Sequence, residues 1–177
     1  MKERPILFSG PMVRAILEGR KTQTRRVVKL PLKDPLTGCE IAGCEINSML
    51  RQGEEICKYG VPGDRLWVRE TFQENTPPSG WIYRADDIAG HIDGGWKPSI
   101  FMPRQASRIT LEIEAVRVDR INEITREDCI AEGITQRASN GAYTHGGEHA
   151  LGWAEPEGAY RQLWESINGA GSWDANP

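Results

Sequence analysis

The sequence predicts an α+β fold over residues 1–177, read as one domain: a small mixed β-barrel with flanking short helices and long loop insertions. Three observations carry this expectation. Strand signals outnumber helix signals and are separated by turn residues. The clearest runs from Ser107 to Ile121, where Ile109, Leu111, Ile113 and Ala115 alternate with Thr110, Glu112 and Glu114. The repeated strand–helix alternation of a doubly wound sheet is absent.

Taken in order, Ile6-Leu7-Phe8 reads as a short buried strand. Ser9 or Gly10 then caps a helix with Pro11 at its first position. Met12, Val13, Ile16 and Leu17 fall at helical spacing, and Gly19 ends the helix. Thr22, Thr24, Val27 and Val28 favour an extended strand. Residues 30–62 hold Pro31, Pro35, Gly38, Gly43 and Gly53 without periodicity, which suggests a long insertion. Pro62-Gly63-Asp64 forms a turn into a strand over Arg65–Arg69. Residues 73–105 are a second insertion, broken at Pro77-Pro78-Ser79-Gly80, with one short strand at Trp81-Ile82-Tyr83. Thr125-Arg126-Glu127-Asp128 resembles a capping box, so a short helix runs to Glu132 before Gly133. Residues 135–155, rich in Gly, Ser and Asn, read as a mobile loop. Pro156 opens a last helix with an apolar stripe of Tyr160, Leu163, Trp164 and Ile167.

A net charge of −3 argues against a protein that coats nucleic acid non-specifically. Locally the balance differs. Arg14, Arg20, Lys21, Arg25, Arg26 and Lys29 cluster with only Glu18 opposing them, as a small directed anion site would. No run approaches the ~18 apolar residues of a membrane helix, and the N-terminus reads as no signal peptide. No membrane partner is expected, and the expected compartment is the cytoplasm. Cys39, Cys44, Cys57 and Cys129 are therefore expected as reduced thiols. The first three lack CxxC spacing, and the paired glycines in His145-Gly-Gly-Glu148-His149 oppose a metal-binding helix. Neither metal nor cofactor is expected.

The segment Leu17-Glu18-Gly19-Arg20-Lys21-Thr22-Gln23-Thr24-Arg25-Arg26 combines a helix end, an amine, hydroxyls and guanidiniums. A hydroxyl becomes nucleophilic only beside a base, and a lysine serves as base only when its pKa falls well below its reference of about 10.4. On a strand, Thr24 and Arg26 would share a face and Arg25 would point away. Lys21 and Thr24 would converge only if the chain curls after Gly19. The same string also suits an exposed strand edge guarded by charge. Among the aromatics, Trp67 and Trp164 read as core. Trp81, Tyr83 and Trp96 suit packing or base stacking equally.

Gly19-Xaa-Lys21-Xaa-Xaa-Thr24-Xaa-Arg26 resembles the signature of the ASCH domain, Gly-Xaa-Lys-Xaa-Xaa-Glu-Xaa-Arg, with Thr in place of Glu. That family is similar to the PUA fold, an RNA-associated β-barrel. Gly63-Asp64-Arg65-Leu66-Trp67-Val68 resembles its Gly-Asp turn and following strand. The long strand through Ile113 and the helix after Thr125 fall in the expected order. The insertions at 30–62, 73–105 and 135–155 lie outside the resemblance. Arg20 to Arg26 are further similar to the Arg-Lys-Thr-Xaa-Thr-Xaa-Arg string of a bacterial branch, the acetylcytidine amidohydrolases, and phage-encoded members share the form. The resemblance implies a catalytic set of Lys21, Thr24 and Glu132. Substrate binding is assigned to Arg20, Arg26, Phe8, Ser9 and Arg104, the last in a Phe101-Met102-Pro103-Arg104 segment at the pocket mouth. The implied substrate is the amide of a modified nucleoside. An RNA-binding module without chemistry and an ASCH-type ribonuclease are the alternatives.

Overall fold

The computed structural model describes residues 1–177 apart from 29–31, 35, 76–79, 88–89, 93, 146–150 and 177. Lys29, Pro31, Pro35, Pro77, Pro78, Ser79, Glu148 and His149 thus lie outside the described residues. The chain divides into two compact units. One comprises Met1–Gly10 with Lys29–Val118, the other Pro11–Val28 with Asp119–Pro177.

In the first unit, β1 (Glu3–Leu7) runs parallel to β2 (Arg65–Arg69), and β5 (Thr110–Glu112) pairs antiparallel on the other side of β2. Period-two alternation decides the faces. Ile6, Leu66 and Val68 are buried, whereas Arg65, Trp67 and Arg69 are half-buried on the opposite face. The expected alternation from Ile109 to Glu114 holds in burial, but only Thr110–Glu112 forms a ladder. The flanks are tied by isolated bonds instead, with Val68 N donating to Ile109 O, Ile113 N to Asp64 O and Gly63 N to Ile113 O. The Gly63-Asp64 turn is anchored by its own carboxylate. Asp64 accepts from the Lys2 backbone N–H at 2.6 Å and from Arg4 Nη1 at 2.7 Å.

Both insertions in this unit carry structure that composition obscured. Gly43–Arg51 forms helix α2, which buries Ile46 and Leu50 against Ile41. Asn47 exchanges two hydrogen bonds with the backbone of Val118. Phe72–Glu74 (β3) and Trp81–Tyr83 (β4) form a hairpin. The expected strand at Trp81 is there, and Phe72 buries beneath it with the two rings edge to face at 5.7 Å.

Beside that hairpin sits an ionic cluster that sequence reading did not mark. Glu70 is 1% exposed, and Arg108 clasps it with Nε to Oε1 at 2.9 Å and Nη2 to Oε2 at 3.0 Å. The same guanidinium reaches both oxygens of Asp86 and lies 3.9 Å from the Tyr83 ring centre. Tyr83 Oη in turn donates to Ala106 O. Trp96 carries the Arg84 guanidinium 5.4 Å above its ring. These aromatics are thus occupied by packing and cation–π contacts.

In the second unit, α1 (Gly10–Leu17) forms where Pro11 and the apolar spacing required it. Gly19, at φ 71°, ends it: its N–H donates to Ile16 O, and those of Arg20 and Lys21 both donate to Ala15 O. α3 (Arg126–Ala131) begins at Thr125, whose side chain accepts from Asp128 N. α4 (Pro156–Asn168) buries Tyr160 and Trp164 together with Ile121, Ile124, Cys129 and Ile134. Two expectations fail here. Residues 135–155 are not simply loop: Thr135–Gln136 (β6) and Tyr143–Thr144 (β7) pair, and Tyr143 bridges to Trp153. The strand expected over Thr22–Val28 does not form. The N–H groups of Thr22 and Gln23 both donate to Ala131 O at the end of α3, so this stretch caps a helix.

The fold is therefore α+β, with four helices and three small sheets among the described residues. The described strands, two to five residues long, do not close a barrel.

Candidate functional site

The site grows out of the junction where residues 21–23 meet the C-terminus of α3. Helix ends leave carbonyls without intrahelical partners, and a cation is favoured there. Lys21 supplies both needs. Its Nζ donates to Glu132 O at 2.9 Å, to Gln23 O at 2.7 Å and to Glu132 Oε2 at 2.7 Å. Its side chain is 2% exposed and that of Glu132 4%. Gly133, at φ 102°, follows immediately. A Cβ there would sit 3.3 Å from Ala15 Cβ and 3.5 Å from Lys21 Cβ, so glycine leaves room for the lysine stem.

Burial pushes the Lys21 ammonium below its ordinary value. Glu132 beside it pulls the other way, and Arg26 and Arg25 add to the push. The amine and carboxylate are close enough to share protons as a unit. Two guanidiniums complete the group. Arg25 Nη2 donates to Asp128 Oδ2 at 2.7 Å, while Nη1 reaches Glu132 Oε1 at 3.4 Å. Arg26 Nη1 donates to Thr24 Oγ1 at 2.9 Å and to Arg25 O at 3.0 Å.

A shallow cleft of about 20 Å³, room for about one water, opens at this group. Arg25, Arg26 and Glu132 form its polar side; Met12 and the α4 stripe Tyr160, Leu163, Trp164 and Ile167 form its apolar side. Ile167 is 55% exposed, so the stripe that buries Tyr160 and Trp164 continues into open space. The Tyr160 phenol is held above its ordinary value by burial and by the Glu132 carboxylate, which keeps it protonated.

The expected residues fare unequally. Lys21 and Glu132, 111 positions apart, meet directly. Thr24 joins the group through Arg26. Arg20 pairs with Glu18 at the helix end, Nε to Oε2 at 2.6 Å. Phe8, Ser9 and Arg104 belong to the first unit: Phe8 is buried, Ser9 exposed, and Arg104 pairs with Glu3 at 3.0 Å. Beside it, Phe101 is exposed and Met102 fully buried, Met102 O accepting from Arg69 Nε. Sequence reading missed Arg25 and Asp128. It turned Arg25 away from the site on strand parity, and without a strand that parity does not apply. The signal for Asp128 was its four-residue spacing from Glu132, which places both carboxylates on one side of α3.

The fold and site define an α+β protein with a buried lysine–carboxylate pair flanked by two arginines at a half-apolar cleft. In comparisons with known proteins, no family model, no curated protein and no solved structure matches this chain.

Proposed function

We propose that the chain is a hydrolase acting on the amide of a modified nucleoside such as acetylcytidine, and that it is an ASCH-type member of the PUA-like group. The observation that carries the reading is the 2.7 Å contact between two almost fully buried groups, Lys21 and Glu132, in a group that Thr24 joins through Arg26. Isolated buried charges are costly, and a lysine in such a place can give up its proton in a way an arginine cannot.

In the proposed reaction Lys21 first passes a proton to Glu132 across their hydrogen bond. The neutral amine then takes a proton from water, or from Thr24 acting as nucleophile, as the oxygen attacks the acyl carbon. Arg26 stabilises the oxyanion that forms. The carbon–nitrogen bond breaks, and Glu132 returns its proton to the departing exocyclic amine. Lys21 and Glu132 are thereby restored to the charged pair. Water leads directly to cytidine and acetate; a Thr24 acyl ester would require one further water.

The charge pattern favours this reading over phosphate binding. Lys21, Arg25 and Arg26 stand against Glu132 and Asp128, so much of the cationic character is neutralised within the group. The test is incubation of the full chain with acetylcytidine, with cytidine read by chromatography. The expected result is cytidine from the wild type, with Lys21→Gln and Thr24→Ala each slower by about 100-fold or more while circular dichroism is unchanged. No cytidine at high protein concentration would sink the reading. Salt-sensitive binding of labelled RNA without cleavage would then favour the binding module, and cleavage the ribonuclease.

A further inference from the structure

We propose that Arg25 and Asp128 are positioning residues for the Lys21–Glu132 pair: Asp128 holds the Arg25 guanidinium so that it engages one oxygen of Glu132 and leaves the other to Lys21. The inference rests on Lys21 being the proton-transfer group of the proposed hydrolase, but it makes a claim that can be tested without turnover.

The geometry divides the labour. Glu132 gives Oε2 to Lys21 at 2.7 Å and Oε1 to Arg25 at 3.4 Å. Arg25 is held much more tightly by Asp128, at 2.7 Å. Asp128 and Glu132 stand four residues apart on α3, the spacing at which two carboxylates repel. The arginine between them relieves that repulsion. It also brings a fixed positive charge close to a buried ammonium, and that charge opposes protonation of Lys21. Asp128 offsets part of this charge and restrains the arginine from closing fully on Glu132.

Among the described residues, the titratable groups of this cluster come from three segments. Asp128 and the buried Cys129 belong to α3 and Glu132 to its C-cap, Arg25 and Arg26 to the segment that carries Lys21, and Tyr160 to α4. Cys129, pushed up to about 12 chiefly by burial, and Tyr160, also raised, remain neutral near pH 7. The charges that act on Lys21 include the Glu132 carboxylate and the Arg26 and Arg25 guanidiniums, and Asp128 acts through its hold on Arg25. Removing one member of the Arg25–Asp128 couple must move Lys21 one way, and removing the other must move it the opposite way. General loosening of the fold does not produce such a sign reversal.

The experiment labels the lysine ε-carbons with carbon-13 and follows the titration of Lys21 by NMR, the resonance being assigned by its loss in Lys21→Gln. In Asp128→Asn the titration midpoint should fall by about one pH unit, and in Arg25→Gln it should rise by about one. Arg25→Lys, which keeps the charge, should return the midpoint towards wild type. Shifts in the same direction, or no shift in either variant, would overturn the proposal. Where acetylcytidine is hydrolysed, the acid limb of kcat/KM should follow the NMR midpoints. Opposite shifts without hydrolysis would uphold the positioning role and reject the hydrolase. Hydrolysis with unmoved midpoints would do the reverse.

Discussion

Among the described residues each unit of the molecule holds a buried carboxylate gripped by a cation, and Glu70 and Glu132 are gripped on different principles. In the first, Arg108 clasps Glu70 with two parallel hydrogen bonds and extends outward to Asp86. Its side chain is 25% exposed, so one partner of the pair keeps contact with solvent. In the second, Lys21 and Glu132 are both nearly inaccessible, at 2% and 4%. The arginine stays charged: its two carboxylates hold it above even its ordinary high value despite the opposing effect of burial. The lysine is pushed the other way. A guanidinium fork between fixed carboxylates has one protonation state and therefore serves architecture. An amine deprived of solvent has two within reach and can serve chemistry.

The largest effect that would break this contrast is on stability. Arg108→Met strands Glu70 without its cation and is expected to cost about 3–5 kcal/mol by urea denaturation. Lys21→Met should cost less, about 1.5–3 kcal/mol, because Arg25 remains beside Glu132. If Lys21→Met proved the worse of the two, the lysine pair would be the principal structural anchor and the contrast would fail.

Gly133→Ala tests the space behind the lysine. The positive φ and the close approach to Ala15 and Lys21 predict a loss of about 1–3 kcal/mol in the same assay. Gly63→Ala, also at positive φ but with open space around its Cβ position, should cost less.

A finer test follows the pH dependence of stability. Lys21 titrates below 10.5 when folded, so the unfolded chain binds more protons at this site between the folded value and 10.5. The lysine's contribution to stability should therefore rise with pH across that window. The difference between wild type and Lys21→Met, taken from denaturation at several pH values, isolates it. A contribution that fell with rising pH would mean that Glu132 outweighs burial. The smallest effect is on thiol reactivity. The exposed Cys39 and Cys44 should react readily with a thiol reagent near pH 8, while Cys129, its thiol pushed up to about 12, should react only on unfolding.

The sequence made local structure legible where a local rule sufficed. Pro11 and Gly19 bracketed α1, Thr125 and Gly133 bracketed α3, and alternation assigned the buried side of Ile109 to Ile113. It was less legible where partners are distant. α2 lay hidden among glycines and prolines because its support comes from Val116 and Val118, far along the chain. The strand expected at Thr22 was lost to Ala131, whose carbonyl collects two N–H groups. Lys21 stood out as an amine in its own segment, but Glu132 came from a resemblance, and no spacing rule could have joined the two. Arg25 was misdirected by the same strand expectation, and nothing local to Arg108 pointed to Glu70, 38 positions away.

The 111 residues that separate Lys21 from Glu132 also matter for synthesis on the ribosome. When Lys21 leaves the exit tunnel, the carboxylate that will meet it has not been made. Residues 29–118, which form most of the first unit, must emerge in between. Closing so long a flexible loop costs about 4 kcal/mol in chain entropy, and a segment that folds early lowers that by shortening the free chain. The buried pair therefore cannot form until residue 132 has emerged, and a truncated product ending before it carries an amine with no carboxylate to meet.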